Sequence, residues 1–130
     1  MYLLDTNTVI YFFKGIGNVA PRLLDVPPAE VAISTITLFE LHVGIEKAGA
    51  PAARLQQLDH FVSFVRLVDF TQREAAAAAE LRAELERKGR PIGPLDNLLA
   101  GTAIAHQATF VTRNVKEFSR VPGLTVESWY

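Results

Sequence analysis

Short apolar runs alternate with longer helical segments along this whole chain, and that alternation limits the folds it can adopt. Runs of three to five residues rich in Leu, Val, Ile and Phe predict strands, and apolar residues at helical spacing between them predict helices. The predicted strands are 2–4, 31–34, 66–70, 109–112 and 124–127, and the predicted helices are 9–13, 18–24, 37–48, 51–65, 71–89, 94–107 and 115–119. Such alternation favours a parallel α/β sheet covered by helices on both faces.

Length and composition set the class of protein. The 130 residues suffice for one domain, 1–130, and 49% apolar with 21% charged residues is an ordinary globular mixture. No apolar run reaches the length of a membrane span, and no basic flank precedes the first apolar stretch, so we expect neither an anchor nor a signal peptide. The absence of cysteine excludes disulfides and thiolate metal sites and fits a cytoplasmic protein.

Three acids occupy positions where strands give way to helices. Asp5 follows the first strand, Glu40 is expected in the first turn of the helix after the second strand, and Asp96 in the first turn of the helix that begins at Pro94. Each has a structural alternative: Asp5 as an N-cap, Glu40 as part of a capping box with Thr37, and Asp96 as a carboxylate favoured by the helix dipole.

Together the three acids favour a functional site. The carboxyl ends of parallel strands share one edge of a sheet, so these side chains can converge although they are far apart in sequence. Converging carboxylates repel one another, and a hard divalent cation such as Mg²⁺ relieves that repulsion. Asn7 and the segment Thr112–Asn114, directly after the fourth strand, come to the same edge. We expect Asn7, Thr112 and Asn114 to position the carboxylates or water.

Four blocks of sequence carry a resemblance to a known family. They are Leu4-Asp5-Thr6-Asn7, Thr37-Leu38-Phe39-Glu40-Leu41 with Gly44, Ile92-Gly93-Pro94-Leu95-Asp96 with Leu99-Ala100, and Thr112-Arg113-Asn114 with Phe118. The closing Gly123-Leu124-Thr125-Val126-Glu127 and Trp129 fit as well. In these blocks the chain resembles the PIN-domain ribonucleases, and more narrowly the VapC-type toxins of bacterial and archaeal toxin–antitoxin pairs.

The resemblance implies a fold, an activity and partners. The fold is a three-layer α/β/α arrangement with a central parallel sheet of four to five strands. The activity is Mg²⁺- or Mn²⁺-dependent cleavage of RNA by Asp5, Glu40 and Asp96, in a transfer RNA or ribosomal RNA loop, which inhibits translation. The partners are a second copy of the chain and a VapB-type antitoxin whose tail occupies the active-site groove. Many members carry a fourth acid near Asn114, so its neutral side chain here predicts one well-bound ion, with any second ion arriving with the RNA.

Metal-activated water needs no histidine base, and we expect His42, His60 and His106 to be structural or surface residues. With a net charge of −1, RNA has to be held by local cations. The candidates are Arg113, Arg90 and Lys14. Arg113 is the best of them because it adjoins the acidic edge, although a salt bridge to Asp5 or Asp96 is an alternative role for it.

Other interpretations of the chain remain at this stage. The apolar helices 9–13 and 51–65 are either ordinary core or a surface for the dimer or the antitoxin. A PIN domain that binds RNA or protein without cleaving is the main functional alternative. A phosphoacceptor domain of the receiver type would need paired acids after the first strand and a lysine after the last, and this chain has neither.

Overall fold

The computed structural model describes residues 1–130, which is every residue of the sequence. Its strands are β1 (Tyr2–Leu4), β2 (Val31–Ser34), β3 (Arg66–Val68), β4 (Thr109–Val111) and β5 (Thr125–Glu127). Its helices are α1 (Thr6–Lys14), α2 (Val19–Asp25), α3 (Thr35–Lys47), α4 (Ala52–Phe64), α5 (Gln72–Arg87), α6 (Pro94–Ala105) and α7 (Val115–Phe118), with a 3₁₀ turn at Pro28–Glu30.

The five strands form one parallel sheet in the order β3-β2-β1-β4-β5. The predicted parallel α/β sheet is therefore confirmed, and β1 lies at its centre. The third strand is shorter than predicted, since it ends at Val68 instead of residue 70. Because every strand runs in the same direction, all five carboxyl ends lie along one edge, and the segments that follow them meet there.

Helices cover both faces of the sheet and give two apolar cores. Successive strand residues point to opposite faces, so Leu3 packs in the core on the α5–α6 side and Leu4 in the core on the α1–α4 side. Both leucines are fully buried. The result is the expected three-layer arrangement. No helix combines the length and the apolar character needed to cross a bilayer.

Helices α5 and α6 make the closest helix pair. The alanine-rich face of α5 allows close approach: a Cβ added to Gly101 would lie 2.5 Å from the Ala78 Cα. The Asn97 side chain also donates to the Ala78 carbonyl at 2.8 Å. Thr71 and Glu74 form a capping box at the start of α5. These contacts fix how α6, which carries Asp96, sits on the rest of the fold.

Candidate active site

Asp5 lies directly after the central strand and is buried, with 8% of its surface exposed. Its Oδ1 accepts a hydrogen bond of 2.8 Å from the Thr8 backbone N–H, so it is the N-cap of α1, and the capping role is confirmed. Its backbone N–H continues the sheet ladder by donating to the Val111 carbonyl at 2.9 Å. The first bond fixes the side chain of Asp5 and the second fixes its backbone. Only one carboxylate oxygen is used for the cap.

Glu40 lies in the second turn of α3, so its predicted place in the first turn was wrong, as was its capping box with Thr37. The helix begins at Thr35, and its N-cap is Ser34, whose Oγ accepts from the Ile36 N–H at 3.0 Å. Glu40 is instead held from the neighbouring helix: the hydroxyl of Thr6, one residue after Asp5, donates to its Oε1 at 2.6 Å. The sequence argument gave Thr6 no role.

Asp96 is in the first turn of α6, as predicted, and is half-buried. Burial is the largest cause that raises its pKa from 3.8 to about 6, followed by the negative charges of Glu117, Asp5 and Glu40. The three predicted acids therefore interact electrostatically, although they come from separate parts of the chain. The raised pKa of Asp96 thus reflects burial first and neighbouring negative charge second.

Glu117 is a fourth acid at this edge, and the sequence argument missed it. It lies in the short helix α7 and raises the pKa of Asp96. The Asn114 side-chain amide donates to a Glu117 carboxylate oxygen. The edge thus carries four carboxylates instead of three. The one sequence signal for Glu117 is its position three residues, about one helical turn, after the neutral Asn114.

The loop after β4 is organised differently from the expectation. The buried Thr112 accepts a 3.1 Å hydrogen bond from the Asn114 N–H, so its hydroxyl holds the loop backbone and not a carboxylate. Arg113 forms no ion pair with Asp5 or Asp96, which removes the salt-bridge alternative. Its guanidinium stacks instead on the ring of Tyr130, 3.6 Å from the ring centroid.

Two clefts each contain one of the four acids. The first contains Asp5 and exposed Asn7, together with the loop after β4, and we call it the Asp5 cleft. The second contains Glu40 with the cations Lys14 and Arg54, and we call it the Glu40 cleft. Arg54 was not among the predicted cations.

Arg90 is exposed in the loop between α5 and α6 and lies in neither of these clefts. The three histidines are also placed apart from the acids. His106 follows the last residue of α6, about 15 Å along the helix from Asp96 at 1.5 Å per residue, and its Nε2 is 2.7 Å from a Glu74 oxygen. His60 packs edge-on against Phe64, with ring centroids 4.9 Å apart, and His42 is exposed on α3.

The donor set suits a hard divalent cation. Four carboxylates offer only oxygen ligands, which Mg²⁺ and Mn²⁺ prefer. Part of the rise in the pKa of Asp96 comes from the repulsion that a cation would relieve. With the side chains as they stand, no three Asp, Glu or His residues converge closely enough to hold an ion. Binding would therefore require these carboxylates to rotate toward one another.

An apolar groove runs along α1 and α4. Val9 is fully buried, whereas Phe12 and Phe13 are only partly buried and line the groove with Phe61 and Phe64. Phe64 is 59% exposed. The first apolar helix is thus core on one side, and its other side is accessible surface, on which a contact with the dimer partner or the antitoxin remains a prediction.

Comparison with known proteins agrees with the fold described above. A model of the PIN domain family matches residues 2–124. The chain is 38% identical to the tRNA(fMet)-specific endonuclease VapC of Salmonella typhimurium, over 98% of this chain and 97% of the relative. It is 39% identical to ribonuclease VapC2 of Rickettsia felis, over 99% and 98%. The crystal structure of Rickettsia felis VapBC2 bound to a promoter DNA fragment contains a chain that matches with a TM-score of 0.92 and 39% identity, over 99% and 98%.

Proposed function

Because this chain belongs to the PIN-domain family, and within it to the VapC-type ribonuclease toxins of toxin–antitoxin pairs, we propose that it is a divalent-metal-dependent endoribonuclease. The observation that carries the proposal is the electrostatic coupling of Asp96 to Glu117, Asp5 and Glu40. Four acids brought together from separate elements cost stability, and a binding site for a cation and a phosphate gives that arrangement a use.

Asp5, Asp96 and Glu40 are the proposed ligands for Mg²⁺ or Mn²⁺, with Glu117 as the additional acid. When bound, the cation supplies the charge that activates water and offsets the negative charge growing on the scissile phosphate. The chain supplies the positions: the cap bond to the Thr8 N–H fixes Asp5, and the Thr6 hydroxyl fixes Glu40. Asp96 has to give up its proton when a cation binds, so we expect binding to weaken below about pH 6.

Asn7, Thr112 and Asn114 remain supporting residues in this proposal. Asn114 orients Glu117 through its side-chain amide, and Thr112 fixes the loop that carries Asn114. Asn7 is exposed beside Asp5, where its amide can position a water or a phosphate oxygen.

Local cations hold the RNA in this proposal, since the net charge is −1. Lys14 and Arg54 lie with Glu40 in its cleft, and Arg113 lies in the Asp5 cleft, so each of these clefts pairs an acid with at least one cation. These cations are the proposed contacts for phosphates of the RNA strand. Arg90 could contact only an RNA that extends to the α5–α6 loop.

The first substrate to test is tRNA(fMet), because the Salmonella typhimurium relative is specific for it. Cleavage of initiator tRNA would inhibit translation. We propose a VapB-type antitoxin as the partner, since the matching chain from Rickettsia felis was solved in a VapBC2 complex. The partly exposed Phe12, Phe13 and Phe64 provide an apolar groove for one of its segments. A homodimer is proposed from the family resemblance.

The test is incubation of the purified chain with tRNA(fMet) and with total RNA in Mg²⁺, Mn²⁺ or EDTA. We expect cleavage with either cation, none in EDTA, and a loss of at least about 100-fold for Asp5→Asn and Glu117→Gln. Asp25→Asn, an exposed acid at the end of α2, is the matched control and should retain full activity. If no RNA is cleaved under any condition while RNA is still bound, the chain is the binding module and the ribonuclease proposal is wrong.

A further inference from the structure

Three side chains stack beside the acids in an arrangement that the proposed metal chemistry does not use. The Arg113 guanidinium lies 3.6 Å from the Tyr130 ring centroid and 5.8 Å from that of Tyr11. The two tyrosine rings pack edge-on, with centroids 4.9 Å apart. Arg113 is exposed, and 40% of Tyr130 is exposed. We call these three side chains the Tyr–Arg platform.

The platform is fixed by the backbone beneath it. Gly17 has a left-handed φ of +70°, and a Cβ there would lie 3.0 Å from Tyr130 Cδ2, so glycine lets the ring sit against the chain. The backbone N–H and the side-chain amide of Asn18 both donate to the Tyr130 carbonyl, at 3.1 and 3.0 Å. These backbone contacts hold Tyr130 in place without Arg113. The stacking of Arg113 on the exposed Tyr130 ring is therefore not needed for the fold of this segment, and we look for a role in binding.

The platform adjoins the site. Tyr11 and Arg113 line the Asp5 cleft together with Asp5 itself. The other residues of that cleft are polar, so Tyr11 is its single aromatic residue. A flat aromatic and cationic surface next to carboxylates therefore lies where an RNA strand would approach the scissile phosphate.

Unpaired nucleobases are bound in proteins by such surfaces. They stack on aromatic rings and on the planar guanidinium of arginine, and the positive charge also attracts the flanking phosphate. Base stacking tolerates any base because every base has a π face. The platform offers both kinds of plane and a fixed charge, whereas Phe13, the aromatic residue of the Glu40 cleft, has no cation stacked on its ring.

We propose that Tyr11, Arg113 and Tyr130 form a stacking subsite for one unpaired nucleobase of the RNA, beside the carboxylates. The subsite deepens the proposed ribonuclease function and rests on it for the identity of its ligand. It explains how a site built of acids can favour single-stranded RNA, since a paired base has to break its pairing and stacking before it can lie on the platform.

The experiment measures binding, not cleavage. Fluorescence anisotropy with a labelled eight-nucleotide oligoadenylate, and with an abasic chain of the same length, is recorded with Ca²⁺ present as the cation. We expect the native chain to bind oligoadenylate at least five-fold more tightly than the abasic chain. Tyr130→Leu and Arg113→Lys should remove most of that preference and leave affinity for the abasic chain within two-fold, at about the resolution of the assay.

Phe39→Leu is the matched control, because Phe39 is 57% exposed on α3 and lies outside both clefts. Arg113→Lys keeps the charge and removes the plane, so it still tests stacking if Tyr130→Leu does not fold. Equal affinity for the two probes, or equal losses for both in the variants, would overturn the subsite. Base preference through Tyr130 in a chain that cleaves no RNA would instead retain the subsite and refute the ribonuclease proposal.

Discussion

Replacing Asp96 by Asn tests whether the acids at the sheet edge repel one another. The pKa of Asp96 is raised from 3.8 to about 6, first by burial and then by Glu117, Asp5 and Glu40. That difference corresponds to about 3 kcal/mol of stability. Because the carboxyl group is half-exposed and its charge is screened by solvent, we reduce this value to about 1.5 kcal/mol.

The sign of the effect follows from proton linkage. The folded chain holds the Asp96 proton more tightly than the unfolded chain, so the contribution to stability is fully present below pH 3.8 and is lost as the pH rises through about 6. Asparagine does not ionise. In EDTA the Asp96→Asn variant should match the native chain near pH 4 and be more stable by about 1.5 kcal/mol at pH 7.5.

The assay is urea unfolding followed by fluorescence of Trp129, the one tryptophan of the chain, which is buried. It is run at both pH values, in EDTA and in Mg²⁺, with Asp25→Asn as the control. Mg²⁺ should stabilise the native chain and leave Asp96→Asn unchanged. If the variant were less stable by about 0.3–1 kcal/mol at both pH values, as for a helix-terminus acid, and kept the Mg²⁺ response, the metal-site argument would be refuted.

Three further predictions, at Thr6, Gly101 and Glu74, test the supporting structure. Thr6→Val should lower kcat/KM for RNA cleavage about 10- to 100-fold while Thr6→Ser retains it; equal activities would leave the bond to Glu40 without a role. Gly101→Ala should lower the free energy of unfolding by about 1–3 kcal/mol, whereas Gly44→Ala, with no atom within 4 Å of the added Cβ, should raise it by about 0.5–1 kcal/mol. Glu74→Gln should cost about 1–3 kcal/mol at pH 7. The Thr71 hydroxyl, which donates to Glu74, holds the pKa of Glu74 near 2. The stability that the ionised carboxylate contributes is therefore present above pH 4.5 and should fade as the pH falls through about 2. A loss in Glu74→Gln that does not change with pH would contradict this explanation.

The fold and two of the acids were predictable because local rules decide them. Strands buried on both faces have to be continuously apolar, and a parallel sheet brings the residues after those strands to one edge. Asp5 follows such a strand, and Asp96 follows the helix-starting Pro94, so both positions could be predicted from neighbouring residues alone.

The rest of the site depends on tertiary geometry. Ser34 ends β2 and caps α3 at the same time, so strand and helix meet without a loop and Glu40 falls one turn deeper than expected. The bond from Thr6 to Glu40 joins residues 34 positions apart. Glu117 reaches the edge through the orientation of α7, which no periodicity reports. Arg113 lies against the rings of Tyr11 and Tyr130 instead of the acids. That placement could not be predicted from the sequence because the two rings come from separate elements, α1 and the segment after β5.

The close crossing of α5 and α6 also limits how this chain can diverge. A methyl group cannot be added at Gly101 without displacing Ala78, and a larger side chain at Ala78 would meet the Gly101 backbone. In descendants of this sequence the two positions should therefore stay small, or change together, while the solvent-facing residues of α5 drift freely. Asp96 lies five residues, about 7.5 Å, before Gly101 on the same helix. Because Gly101 sets how closely that helix approaches α5, selection that keeps the carboxylate in place would also keep the glycine, which is not part of the proposed site.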